Sequence, residues 1–203
     1  MTAPSVARRQ KYLGEMGLIA LIKFLSAFVP LSTDLYLPAL PGIADYFSVS
    51  ADLSNLTLIL FFVFFSVGTL FWGPLSDKHG RRPILLIGLS IYSAASLGCA
   101  GSWDIHHLIA FRILQAIGGG GAVAVATAMI RDVYDSKSRE PILAMVQSMV
   151  LISPAAAPVL GALLLKFMSW RELFLVLACI GLLALAGSIA LQETITKRNT
   201  SSM

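Results

Sequence analysis

Three ionisable side chains fall inside long apolar stretches of this sequence: Lys23, Asp34 and Arg112, with the amide of Gln115 shortly after the last. A charge at the middle of a bilayer costs about 2.5 to 3.5 kcal/mol on insertion scales, so each needs a cavity, water or a partner rather than lipid. Arg112 is the most demanding, because a guanidinium stays charged in any accessible environment. On a helix turning 100° per residue, Lys23 and Asp34 fall within about 20° of one face and about 16 Å apart along it. Lys23 lining that wall and Lys23 snorkelling to the nearby interface are both open. Asp34 can face a cavity, cap a kink made by Pro38, or reach the outer interface. Counted inward from the outer ends of their stretches, Asp34 and Arg112 lie at matching depth, which predicts a pair, direct or through water. Such a carboxylate can exchange its guanidinium for a proton or a cationic substrate.

A second concentration of chemistry is GPLSDKHGRRP, from Gly73 to Pro83, where acid, base and glycine crowd between two apolar runs. Pro74 is expected to break the first run after Gly73, and Asp77 to open a turn. Lys78, Arg81 and Arg82 then place three cations on one side of a membrane. A plain positive loop explains the arginines but not the spacing of Gly73, Asp77 and Gly80. If Asp77 anchors a helix end through the macrodipole, its charge and not its size matters.

The elements that must position these groups follow from composition. Of 203 residues 57% are hydrophobic and 13% charged, and the mean hydropathy is +0.80, too few charges for a soluble surface of this length. Six stretches can each cross a hydrocarbon core of about 30 Å: Gly17–Pro38, Leu53–Leu75, Pro83–Ala100, Leu108–Met129, Ile142–Phe167 and Leu173–Leu191. The expected fold is therefore an all-α membrane protein of six spans over residues 17–191. Polar segments 1–16 and 192–203 flank it.

The net charge of +4 resides in the loops. Arg8, Arg9 and Lys11 precede span one, Lys78, Arg81 and Arg82 follow span two, Arg131, Lys137 and Arg139 follow span four, and Lys197 and Arg198 follow span six. Only Lys166 and Arg171 lie in loops on the other side. This asymmetry puts both ends in the cytoplasm and gives no nucleic-acid patch. Lys23 interrupts the first apolar run and no small-residue cleavage site closes it, so it reads as an uncleaved span rather than a secretory signal. Cys99 and Cys179 lack metal-ligand spacing and read as small apolar fillers, with no disulfide and no metal expected.

Within the spans, the aromatic residues of span two cover several faces and read as packed or lipid-facing rather than as a binding box, with Gly68 admitting a close neighbour. Pro83 suits the first position of helix three, and Gly88 is read as structural. Gly118 to Gly121 in span four carry no GK[ST] and follow no strand, so they read as a place for close packing and bending. In span five Ser153, Ala157 and Gly161 form a small-residue ridge, with Pro154 and Pro158 bending the helix. Met145 and Met149 are cavity or core residues alike. A weak match at an offset of 88 residues pairs Gly73 with Gly161, Leu75 with Leu163 and Lys78 with Lys166. Such a repeat of three spans would be inverted in the membrane.

Several of these features together resemble the major facilitator superfamily. Gly73, Asp77, Gly80, Arg81 and Arg82 stand where the family's signature loop between spans two and three has its glycine, aspartate, second glycine and paired basic residues. RILQAIGGGG resembles the family's fourth-span motif, with Ala116 in place of the usual first glycine. SPAAAPVLGA resembles the antiporter motif of drug-exporting facilitators, with Ala157 and Ala162 where glycines are common. STDLYLPALP resembles the first span of the bicyclomycin-resistance (Bcr/CflA) group of drug and proton antiporters.

The resemblance implies the N-terminal six-span half of a twelve-span transporter, with a 3+3 inverted repeat. It also implies proton-coupled multidrug efflux from the bacterial inner membrane, driven by the proton gradient with no cofactor. Its implied partners are the lipid bilayer, protons and small amphipathic or cationic drug-like molecules, plus a second six-span half or a second copy of the chain. In the intact family the Asp77 region is thought to clamp against a helix of that second half. Two rivals remain. One is a truncated fragment or six-span subunit that associates with a second half without transporting alone. The other is an intramembrane serine protease, against which stand the lack of GxSG and the outer-loop position of His106 and His107.

The charge asymmetry makes a direct prediction. Reporter fusions at either end should score as cytoplasmic, and a periplasmic C-terminus would mean that one span has been miscounted.

Overall fold

In hydrocarbon an α-helix satisfies every one of its own backbone groups, and every regular element among the described residues is helical. The computed structural model describes residues 14–134 and 136–194, with the side chains of 15, 29–31, 136–138, 149–150 and 153–154 outside the description. Arg8, Arg9, Lys11, Lys197 and Arg198, and the side chains of Lys137, Met149, Ser153 and Pro154, therefore lie outside the described residues.

Helix α1 (Gly14–Tyr36) passes through a 3-10 turn (Leu37–Ala39) into α2 (Leu40–Phe47). Pro38 and Pro41 each occupy the first turn of a helical segment, where a missing amide costs nothing. The segments Met16–Phe28 and Ser32–Phe47 meet at 40°. Ser48, with φ of 54°, ends α2 in the left-handed region, and the Ser50 hydroxyl accepts the Leu53 amide at 3.3 Å to start α3 (Ala51–His79). α4 (Arg81–Ala100), α5 (Ile105–Val133), α6 (Ser136–Leu164) and α7 (Trp170–Ile189) follow. α7 opens with a capping box in which Ser169 and Glu172 satisfy one another's backbone amides.

Most helix ends lie a few residues from the expected span ends, and two prolines have other positions than the sequence reading gives them. Pro74 does not end the second span: α3 runs through it to His79. Tertiary bonds hold the helix on both sides, Trp72 Nε1 donating to the Ile117 carbonyl at 2.8 Å before the proline and Ser76 accepting from Arg81 at 2.6 Å after it. Pro83 lies third in α4 rather than first, because the helix already begins at Arg81.

α3, α4, α5 and α7 are each long and apolar enough to cross a membrane, and the bent α1–α2 pair makes a fifth such element. α6 contributes the apolar stretch Ala155–Leu164 among the described residues. α5 lies between α3 and α4, α7 packs on α4, and α1 packs on α6 and α5.

These contacts are made by backbone against backbone. A Cβ on Gly118 would lie 2.6 Å from both the Gly88 carbonyl and the Tyr92 amide of α4, and one on Gly120 would lie 2.9 Å from the Thr69 amide of α3. Gly68 meets Ile117 in the same way at 3.2 Å. The glycine run of span four thus seats two helices at once. On α6, Ala157 is fully buried and Gly161 abuts the Leu35 backbone of α1. Gly73, by contrast, faces open space, so the offset match does not place its two glycines in equivalent surroundings. Cys99 fills the core, whereas Cys179 is exposed on the bundle surface.

Overpacking of this kind costs about 1–3 kcal/mol. Gly118→Val should therefore lower the thermal midpoint in detergent clearly, while Gly42→Ala, where an added Cβ meets nothing within 4 Å, should leave it unchanged or raise it. Equal midpoints for the two variants would mean that α5 does not pack on α4 as described.

Candidate functional site

Arg112, about two turns into α5, is the largest fully buried side chain among the described residues. Its guanidinium lies 4.3 Å from the centre of the Tyr36 ring, 4.2 Å from that of Phe61 and 5.8 Å from that of Phe174, so α1, α3 and α7 each supply one wall. The faces of aromatic rings carry negative potential and attract a desolvated cation. Along its own helix, Nη1 of Arg112 donates to Oε1 of Gln115 at 2.6 Å, and Nε2 of Gln115 donates to the Ser96 hydroxyl of α4 at 2.7 Å. Nε and Nη2 of Arg112 have no hydrogen-bond partner.

The walls are themselves fixed. The Tyr36 hydroxyl and Thr57 Oγ1 share a hydrogen bond of 2.7 Å, Thr57 donates to the Ser54 carbonyl at 2.6 Å, and Ser54 donates to the Leu40 carbonyl at 3.0 Å. This ladder ties the end of α1 and the start of α2 to α3, and so holds Tyr36 over the arginine.

The direct pair of Asp34 with Arg112 is not what this arrangement contains, since the guanidinium's hydrogen bond goes to Gln115 and its surroundings are aromatic. Matching depth along two helices says nothing about the direction each side chain takes around its own axis, so it does not by itself secure a direct bond. Asp34 is partly buried on α1, two residues before Tyr36. Lys23 is also partly buried, about three turns below it, and forms no ion pair among the described residues. Of the span-two aromatics, which the sequence presents as packed or lipid-facing, Phe61 is a wall of the arginine cage. Met145 is exposed.

At the far end of the bundle the signature loop forms a second constellation. Asp77 sits in the last turn of α3, where an acid opposes the helix dipole, and it is compensated by Arg81 Nη2 at 2.5 Å. Arg81 Nε donates to Asp132 of α5 at 2.8 Å and Nη1 to the Ser76 hydroxyl at 2.6 Å, and the side chain is only 4% exposed. Gly80, at φ of 105°, is the single residue between α3 and α4. Arg82 Nη2 donates to the Ile189 carbonyl at the end of α7 at 2.8 Å, and the amides of Arg81 and Arg82 are taken up by the Glu193 carboxylate. The structure thus brings Asp77, Gly80, Arg81 and Arg82 together, leaves Gly73 outside the cluster except for its carbonyl, which accepts from Ser76 at 2.7 Å, and adds Asp132 and Glu193. Neither acid is marked in the sequence by spacing to the loop, because both arrive from more than fifty residues away.

The Major Facilitator Superfamily profile matches residues 22–202. Among curated proteins, the chloramphenicol resistance protein of Pseudomonas aeruginosa is 36% identical over 178 residues, which cover 86% of this chain and 42% of that protein. The bicyclomycin resistance protein homolog of Haemophilus influenzae is 30% identical over 83% of this chain and 42% of its own length. Multidrug resistance protein MdtL of Shewanella oneidensis is 36% identical over 83% and 43%. The chain therefore spans less than half the length of these relatives. Among solved structures, a D-xylose-proton symporter superposes with a TM-score of 0.75 at 15% identity, over 87% of this chain and 48% of that one. A bacterial homolog to the human lysosomal transporter Spinster, inward-facing and unoccupied, gives 0.70 at 18% identity over 92% and 44%. At such identities the superpositions speak for the fold, and the sequence matches speak for descent. The profile takes in every described helix except the first turns of α1, and on that match the chain belongs to the Major Facilitator Superfamily.

Proposed function

We propose that the chain is the N-terminal six-span half of a proton-coupled multidrug exporter of the bacterial inner membrane, with both ends in the cytoplasm. The observation that carries this reading is the caged Arg112: a fully buried cation with two unused N–H groups, walled by a tyrosine of the same helix that carries the intramembrane acid Asp34. Drug-resistance names among the relatives supply the substrate class, small amphipathic or cationic molecules. Because the chain matches less than half the length of these relatives, export in this reading requires a second six-span half or a second copy of the chain. The exposed apolar faces of α3 and α6, including Val63, Val67, Leu70, Leu151 and Val159, are the surfaces left for lipid and for that half. A subunit or fragment silent on its own is the second reading, favoured by the same difference in length.

In this mechanism α1 is the moving part. In the cage Arg112 is held by ring faces and by Gln115, and Asp34 is not its hydrogen-bond partner. A shift of α1 that lifts Tyr36 also carries Asp34, and Nε and Nη2 of Arg112 can then donate to its carboxylate. Asp34 in turn holds either a proton, the guanidinium or a cationic substrate, and only one at a time. Proton entry and drug exit are coupled because they compete for one carboxylate. Asp77, Arg81 and Asp132 keep the opposite ends of α3, α4 and α5 in register while this happens.

The test is vesicle transport with an internal pH dye, on the chain joined to a second half and on the chain alone. Asp34→Asn should abolish proton-coupled export of cationic drugs. Normal export with an unchanged proton response would move the site, with Lys23 and Gln115 next. Arg112→Met keeps length and fills the cage, and replacing a buried charge by an apolar group of similar volume is often neutral or stabilising. Its thermal midpoint should equal or exceed that of the parent while export is lost. A midpoint lowered by more than a few degrees would make Arg112 a structural residue.

A further inference from the structure

α3 ends at His79 and α4 begins at Arg81, so one residue must close one helix and open the next. Gly80 does the first: at φ of 105° its amide donates to the Ser76 carbonyl at 3.0 Å. It has no side chain with which to do the second. A conventional capping residue is disfavoured here, since the backbone angle strains any L-residue, and a Cβ would also displace the Glu193 carboxylate. The first amides of α4 have no acceptor in their own helix. Both are met from the other end of the chain: Glu193 Oε1 accepts from the Arg81 amide at 2.8 Å and Oε2 lies 3.3 Å from the Arg82 amide. The exchange is reciprocal, because the Arg82 guanidinium donates at 2.8 Å to the Ile189 carbonyl in the last turn of α7. An anion thus sits at the start of α4 and a cation at the end of α7, each favoured by the helix dipole.

We propose that Glu193 is the positioning residue of the Asp77–Arg81–Asp132 cluster: by capping α4 it fixes the backbone that carries Arg81, and it makes the segment leaving α7 part of the cluster. Arg81 is the residue through which the two acids are bridged, and its backbone amide is held by Glu193 while its guanidinium is held by Asp77 and Asp132. A pull on the chain after α7 therefore reaches Asp77 and Asp132 through one residue. In an exporter this links whatever follows Glu193 to the loop, a consequence that rests on the function proposed above, whereas the positioning itself does not.

The test uses the full chain in nanodiscs, with hydrogen–deuterium exchange resolved at single amides and with 15N-arginine labelling. In the parent, the amides of Arg81 and Arg82 should exchange slowly, although first-turn amides of an uncapped helix do not. Glu193→Ala should speed both about tenfold or more, and Glu193→Gln, which keeps one acceptor, should fall between. Glu140→Gln, an exposed acid on α6, should change neither. The Arg81 Nε–H resonance should also shift in Glu193→Ala although Asp77 and Asp132 are intact. Unprotected amides in the parent, or rates unchanged by Glu193→Ala, overturn the cap. A lost cap with an unmoved Nε–H signal overturns the positioning role. Should Glu193→Ala fail to insert, Glu193→Gln decides the same questions. Vesicle transport by the same variants, joined to a second half, should fall in the order parent, Gln, Ala. A parent that does not transport would overturn the proposed function and leave the exchange result standing.

Discussion

Helices in lipid have no hydrophobic drive toward one another, so they associate by close van der Waals contact, and such contact needs small residues where backbones cross. Here that requirement is concentrated on α5, which meets α4 at Gly118 and Gly88 and meets α3 at Gly120 and Gly68. The Trp72 indole, bonded to the Ile117 carbonyl, closes the α3 contact at the same level. Everything chemical on α5 is positioned by this clamp: Arg112 and Gln115 lie on its N-terminal side and Asp132 at its C-terminal end. The glycines form no site of their own. They determine where the two charged sites can be.

The arginine cage shows how a membrane protein carries a buried cation without an ion pair. Three ring faces and one amide hold the charge, and the amide is itself oriented by Ser96 of the next helix. A carboxylate locked to the guanidinium would be a harder pair to part, because separating two buried opposite charges is costly. Held by ring faces, the arginine keeps two N–H groups available. The hydroxyl ladder from Tyr36 through Thr57 and Ser54 to Leu40 makes the lid of the cage depend on how the broken first helix sits against α3.

Both ends of the bundle are stitched by arginines that reach helix termini. At one end Arg82 binds the last turn of α7 while Glu193 caps α4. At the other, Arg171 at the start of α7 donates to the Ala100 carbonyl at the end of α4 at 2.7 Å and to the Tyr46 hydroxyl at 3.1 Å, lying over the Tyr46 and Trp170 rings. α4 and α7 are thus joined at both ends as well as along their length, and α2 is carried with them.

Much of this was legible in the sequence, and the reason is that lipid imposes local rules. Apolar stretches of about twenty residues become helices because nothing else satisfies their backbone, glycine and alanine rows become crossings, and a lone Arg112 or Asp34 in such a stretch must be functional or caged. Gly80 between two helices is equally local, since its φ follows from the sharpness of the turn. What the sequence left open were directions and distant partners. Depth along a helix can be counted, but the azimuth that turns Arg112 toward Tyr36, Phe61 and Gln115 rather than Asp34 depends on how α1, α3 and α7 pack around α5. Pro74 reads as a stop, yet α3 continues through it because Trp72 and Ser76 are held by α5 and by Arg81. Asp132 and Glu193 carry no mark near the signature loop at all, since hydrogen bonds across fifty and more than a hundred residues exist only once the helices are assembled. Sequence alone determined which residues could not face lipid. Tertiary structure decided what each of them faces instead, because that choice is made by the neighbouring helices and not by the helix that bears the residue.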